Sequence, residues 1–320
     1  MEKWMTPEAV ALVGRAYRLE IRAVLPLRSV VGLLTAQGRF MCKRYAPDAG
    51  LSAEHLLAVG ELKRALAARG VCPALRETVD GRLAQPVGGA LVTVEPWIRG
   101  RQADFRAAGE RKVAVQAVAR LHAARVPIPF ALRHPPTLLQ KLAYRLDEAN
   151  RAAKGDRVPG LTRDEWLRWR ETAARALREL PADAISRLTA QDRGRGIVCH
   201  RDLAPHNILV AAGSPASLID FDLAGCDSPL YDLFQLYGHM TYSAPGEERI
   251  FDEMIEAYTR IADLSGAHVA ALSALRSYPA QLLREVGDSS KAVSARASRR
   301  SATRVRYAAA IEAKRVFGRA

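Results

Sequence analysis

The chain has 320 residues, 49% of them hydrophobic, enough apolar material for the core of one large domain or of two lobes. Its formal net charge is +14, yet no uncharged apolar run reaches the 18 or so residues of a transmembrane helix, so a membrane span is not expected. Cys42, Cys72, Cys199 and Cys226 stand without CxxC spacing and imply neither a zinc site nor a disulfide framework.

Near the start, the apolar stretch Ala9 to Gly14 is too short for the hydrophobic region of a signal peptide, so a cytoplasmic protein is expected. Strand-like text runs from Ile21 to Tyr45. Val30 to Thr35 is an apolar run, Ala36 to Arg39 a turn, and Phe40 to Tyr45 the returning strand. Ser52 caps a helix whose apolar positions Leu56, Val59, Leu62 and Leu66 have helical spacing, and Gly70 ends it. Leu75 to Thr78 and Ala90 to Ile98 form a second pair of strands around a Val79-Asp80-Gly81 turn. From Asp104 the pattern is helical, over Lys112 to Ala124, Leu138 to Ala153 and Thr162 to Leu180. Gly196 to Asp222 interrupts it with strand-like text, and helices resume after Asp232.

That interruption carries the chemistry. It reads Gly196-Ile-Val-Cys-His-Arg-Asp202-Leu-Ala-Pro-His-Asn207-Ile-Leu-Val210, then Ser217-Leu-Ile-Asp220-Phe-Asp222. Ile208 to Ala211 and Ala216 to Ile219 are apolar runs joined by the turn Ala212 to Pro215, so they form a hairpin. Asn207 at its start and Asp220 at its end then lie side by side. An amide oxygen beside a carboxylate is a hard donor set suited to Mg²⁺, which bridges nucleotide phosphates. Asp202, five residues before Asn207, is placed to accept or orient the proton of an acceptor hydroxyl. Phosphoryl transfer needs little more than this positioning and charge.

His200-Arg201-Asp202 and Asn207 resemble the kinase catalytic loop H-R-D-x-x-x-x-N, and Asp220 resembles the metal-binding aspartate of the D-F-G position. With Asp222 in place of the glycine, the text is similar to the aminoglycoside phosphotransferase and choline kinase branch. Asp232 resembles the aspartate that steadies the catalytic-loop backbone there. The resemblance implies an α+β, bilobal protein-kinase-like fold: a small antiparallel β-sheet N-lobe with one helix, and a larger, mainly helical C-lobe. It also implies ATP and Mg²⁺ as cofactors, with Asp202 catalytic and Asn207 and Asp220 holding the metal. Lys43 would contact the nucleotide phosphates, with Glu61, or its rival Glu54, as its partner. Glu95 and Trp97 would form the hinge to adenine. No G-x-G-x-x-G loop is present, and Ser29, in the turn Pro26 to Ser29, would take its place.

The implied division is a nucleotide-binding lobe over 1–98, a helical lobe with catalytic loop and acceptor insert over 99–290, and a basic tail over 291–320. Only eleven residues separate Asp220 from Asp232, too few for the activation segment of a regulated protein kinase. The insert from Arg133 to Arg195 holds fourteen Lys or Arg against nine Asp or Glu, which disfavours a polycationic acceptor. The tail holds nine Lys or Arg and one acid, Glu312. It would either form a solvated helix face or meet an anionic surface or an acidic partner, and it lacks the interleaved aromatics of nucleic-acid binding. The text around Thr35 to Arg44, Arg76 to Gly81, Trp97 to Arg101 and Tyr278-Pro279 resembles spore-coat kinase-like proteins of the CotS type, which would place the protein on the spore coat. Three readings follow: a phosphotransferase acting on an unidentified hydroxyl, a protein kinase acting on coat proteins, and a non-catalytic scaffold of the same fold.

Overall fold

Thr6-Pro7 opens the chain with a helix that the expected elements did not include. The Thr6 hydroxyl accepts from the Ala9 N–H, Pro7 fills the first turn, and α1 runs Pro7–Tyr17. The computed structural model describes residues 4–27, 30–48, 50–290 and 295–317. After α1 come β1 (Ile21–Pro26), β2 (Val31–Thr35) and β3 (Gly38–Tyr45), then α2 (Ala53–Ala67), β4 (Gln85–Val87) and β5 (Ala90–Pro96). The five strands form one antiparallel sheet in the order β1-β2-β3-β5-β4. Leu75 to Thr78 is not a strand. The partner of β5 is Gln85–Val87, turned back through Gly88-Gly89.

Strand alternation gives this sheet two different faces. Leu33, Cys42, Val92 and Val94 point to a core shared with Met5, Val13 and Tyr17 of the α1 segment, and the Tyr17 hydroxyl donates to Val92 O at 2.8 Å. The other face presents Met41, Lys43, Tyr45, Thr93 and Glu95 to a cleft. Helix α2 starts at the Ser52 cap as its sequence predicts, and its Leu62 and Leu66 join the larger core of the helical lobe.

That lobe begins with β6 (Arg101–Gln102) and α3 (Ala108–Ala123), followed by α4 (Leu138–Ala152), α5 (Arg163–Glu179) and α6 (Ala182–Gly194). Thr137 and Thr162 start α4 and α5 with complete capping boxes. β7 (Val198–Cys199), β8 (Ile208–Val210), β9 (Ser217–Leu218) and β10 (Gly225–Cys226) then carry the catalytic segment. Five helices close the lobe: α7 (Pro229–Ser243), α8 (Ile250–Thr259), α9 (Gly266–Leu275), α10 (Ala280–Ser289) and α11 (Ala295–Phe317). Among the described residues no helix is long and apolar enough to cross a membrane.

The last helix packs against the lobe, although its basic composition suggested a tail. Val305, Ala308 and Ile311 are buried, three and six residues apart as one face of a helix requires. Glu312, the single acid of the segment, is buried as well; it accepts from the Gln281 N–H at 3.0 Å and pairs with Arg315. A β-carbon on Gly160 would lie 2.3 Å from Ala302 O, so glycine there lets the loop before α5 touch the backbone of α11. Arg299, Arg300, Arg304 and Arg306 are exposed on the remaining faces, while Arg315 takes part in the packing through Glu312 and Tyr278 O.

Candidate active site

The hairpin anticipated from the sequence is present: β8 pairs with β9, and the Ile219 N–H donates to Asn207 O at 3.0 Å. Asn207 and Asp220 therefore stand side by side at its open end. Before it, the chain from His200 to Asn207 forms a loop that is held from three directions. Asp232 accepts from the His200 N–H at 2.7 Å and the Arg201 N–H at 2.8 Å. Gln235 accepts from the Leu203 N–H at 3.2 Å and donates to Arg201 O at 3.1 Å. The Asn207 amide donates to Asp202 O at 2.8 Å. Arg201 and Asp220 both take left-handed backbone conformations, with φ of 67° and 64°, which these contacts maintain.

Arg201 is itself occupied. It pairs with the buried Asp227, donates to Pro136 O at 2.8 Å and lies 4.2 Å from the Tyr231 ring centre. Its role is to fix the loop, in which Asp202 is a half-buried carboxylate 3.3 Å from the Asn207 amide nitrogen. Asp232 is fully buried, and its other neighbour is His122, whose Nε2 lies 3.0 Å from Oδ2 while Nδ1 meets the Tyr258 hydroxyl at 2.9 Å. Burial would push the Asp232 carboxyl up, but the His122 hydrogen bond and the charges and N–H groups around it hold it below its ordinary value. Cys199 lies with His122 and Asp232 within 4.8 Å, a grouping that could suit a metal. Here the His122 nitrogens and the Asp232 oxygens are spent in hydrogen bonds, and the thiol donates to Ser228 O at 3.3 Å, so the three brace the loop.

Lys43 reaches from β3 to the hairpin end, with Nζ 2.6 Å from Asp220 and 2.7 Å from Asp222. Burial opposes its charge, but Asp222 and Asp220 outweigh that cost and hold the ammonium above its usual pKa. Asp222 also accepts from the Tyr45 hydroxyl at 3.0 Å, and its carbonyl meets His55 of α2 at 2.7 Å. The sequence reading noted Asp222 only as a departure from glycine and assigned it no contact.

Glu61, expected as the partner of Lys43, is not there. It is exposed, as is Glu54. The buried face of α2 is Leu56, Val59, Lys63 and Leu66, and a helix advancing 100° per residue turns position 61 well away from it. The charged residue of α2 that enters the cleft is Lys63, which pairs with Glu95. Lys63 follows Val59 by four residues, so the periodicity placed it on the inner face, and only its charge kept it out of the apolar tally. Glu95 thus occupies the deep end of the cleft. Trp97 lies beside it over β2, where a β-carbon on Gly32 would come within 2.5 Å of its ring. Ser29 lies outside the described residues.

Together these groups line a cleft of about 440 Å³ between the sheet and the hairpin, with Leu27, Val30, Val59 and Ile219 as apolar walls. A strand-rich lobe over a helical one, with a lysine above and an Asp-Asn-Asp set below, defines the class of two-lobed kinase-like phosphotransferases. The family model for the phosphotransferase enzyme family matches residues 28–312, and the chain belongs to that family. Solved structures share the fold. An aminoglycoside phosphotransferase from Alicyclobacillus acidocaldarius superposes with a TM-score of 0.77 at 17% identity, covering 98% of this chain and 95% of that one. A spectinomycin phosphotransferase in complex with ADP and spectinomycin gives 0.66 at 13%, over 95% and 96%. Choline kinase from Streptococcus pneumoniae gives 0.52 at 13%, over 95% and 98%. No curated protein sequence matches the chain.

Proposed function

We propose that the protein transfers the γ-phosphoryl group of ATP to an acceptor hydroxyl, with Mg²⁺ bound at Asn207 and Asp220. The observation that carries this reading is the convergence of Lys43, Asn207 and Asp220 on one cleft from segments up to 177 residues apart, with the Asp202 carboxylate 3.3 Å from the Asn207 amide nitrogen. The donor set fits a hard divalent cation. Asp220 and Asp222 already share one cation, the Lys43 ammonium, and the Asn207 amide nitrogen is engaged by Asp202, which leaves its oxygen as the free donor. When bound, the metal supplies positive charge to the β- and γ-phosphates.

The remaining work falls to the chain. The hinge from Glu95 to Ile98 offers backbone groups to adenine, with Trp97 and Leu27 as walls. Lys43 exchanges a carboxylate for phosphate oxygens, a contact its raised pKa keeps charged. The acceptor oxygen attacks the γ-phosphorus as the bond to the bridging oxygen of ADP breaks, and the hydroxyl proton passes to Asp202. Neighbouring structures include enzymes described as acting on or binding spectinomycin, choline and aminopropanol, consistent with a small hydroxyl-bearing acceptor.

Mg-ATP at a hundred times its dissociation constant should stabilise the protein by about 2.7 kcal/mol, read as a rise in the thermal midpoint. Asp220→Ala should remove the magnesium-dependent part of that rise. A wild-type midpoint that does not move with saturating Mg-ATP would reject the reading. The resemblance to CotS-type proteins adds a location to this proposal. In a sporulating cell the protein should fractionate with the spore coat, and recovery only from the mother-cell cytosol would remove that part.

A further inference from the structure

We infer that the acceptor alcohol carries a negative charge, and that Lys141 of α4 receives that charge beside Asp202. The inference rests on the phosphotransferase reading and names the acceptor class of the same site. It starts from how α4 is placed. The Arg201 guanidinium donates to Pro136 O at 2.8 Å, so the residue next to Asp202 pins the segment that opens α4. Thr137 caps the helix, and the Lys141 N–H closes its first turn on Thr137 O at 2.9 Å. Lys141 thus stands one turn from the catalytic loop, within the electrostatic reach of both Arg201 and Asp202.

Lys141 is half-buried, and among the described residues no carboxylate lies within ion-pair distance of it. Its ammonium lies 5.8 Å from the centre of the Tyr144 ring, which Arg151 flanks at 5.7 Å. Burial and the neighbouring Arg145 pull its pKa down. A partly desolvated cation without a counter-ion is unfavourable unless something supplies one, and such groups cluster where ligands bind.

The imidazole of His239 on α7 lies 3.4 Å from Arg284 of α10. Burial, Arg284 and His206 of the catalytic loop push its pKa down to about 3, so it stays neutral and Arg284 is the charge there. Glu148 holds Arg145 at 2.9 Å, and Glu285 holds Arg284 and Arg304, each at 3.1 Å. Asp202 stands beside Asn207, and its part is to take the acceptor proton. An amino sugar or a choline-like head group would bring a second positive charge to Lys141. A hydroxy acid, a sugar acid or a phosphorylated alcohol would complete the set. The reaction yields ADP and the phosphate ester of that anion, with the hydroxyl proton passing to Asp202 and then to water.

The test measures ADP release by the full chain with Mg-ATP and matched acceptors: gluconate against sorbitol, glycerate and glycerol 3-phosphate against glycerol, and ethanolamine and choline as cations. At least one anionic alcohol should exceed its neutral counterpart at least tenfold in kcat/KM. Lys141→Gln should erase most of that preference through KM. A preference for the cationic alcohols, no turnover of any anionic one, or an anionic preference that survives in Lys141→Gln would each overturn the inference. Mg-ATP stabilisation is read separately without acceptor. If it holds while these outcomes fail, the acceptor class is wrong and the phosphotransferase reading stands.

Discussion

Asp202→Asn is expected to lower kcat by about 10² to 10⁴-fold, the range a positioned general base contributes, with little change in the KM for ATP. The carboxylate is half-buried, and the loop bearing it is fixed by other atoms. Its carbonyl, not its carboxylate, takes the shorter hydrogen bond from Asn207, at 2.8 Å against 3.3 Å. An asparagine therefore fits the same loop and keeps the nucleotide side intact. Mg-ATP should still raise the thermal midpoint of the variant, which separates lost chemistry from lost folding. A fall of less than tenfold would take the proton-accepting role away from Asp202.

Asp232→Ala is expected to cost about 3–5 kcal/mol of stability, the range for removing one member of a buried charged network. The substitution would leave the His200 and Arg201 N–H groups and His122 without their acceptor in a site with no measurable exposure. Denaturant midpoints of wild type and variant at pH 7 measure the loss directly. A difference below 1 kcal/mol would show that Gln235 and Asn207 suffice to hold the loop. The pH dependence has a defined sign. Because the folded carboxyl titrates below its unfolded value of about 3.9, its contribution is present above that pH and is lost as pH falls through the folded value. The two proteins should therefore converge in stability only under strongly acid conditions.

Both predictions concern residues that could be read from the chain itself. His200 to Asp222 spans few enough residues that the turn at Ala212 to Pro215 dictates which groups meet. Asn207 beside Asp220 is a consequence of strand pairing, and the register of β8 on β9 agrees with it. Asp232 was found by its resemblance and by its distance from the loop. Ser52 likewise starts α2 where its hydroxyl predicts, and Thr137 and Thr162, not singled out as caps in the sequence, start α4 and α5 in the same way. Two local signals were present and not used: Thr6-Pro7 before α1, and Gly88-Gly89 before β5.

Other features depended on long-range packing. A charged side chain at the inner edge of α2 looks the same in sequence whether it faces solvent or a partner. The rotation of α2 on the helical lobe decided that Lys63 meets Glu95 and that Glu61 faces outward. The carboxylates of Lys43 lie 177 and 179 residues away, beyond any periodicity. For α11, an Ala- and Arg-rich composition read as a tail, while Val305, Ala308 and Ile311 were buried by what α10 and the loop at Gly160 offered them.

The sequence by itself determined that Asp202, Asn207 and Asp220, the proposed phosphotransfer centre, come together, because short-range turns and strand pairing join those groups wherever the rest of the chain goes. Only the tertiary structure decided which charges answer Lys43 and which line the acceptor side. Those contacts join separately formed elements, and their partners are chosen by the burial of apolar faces rather than by spacing along the chain.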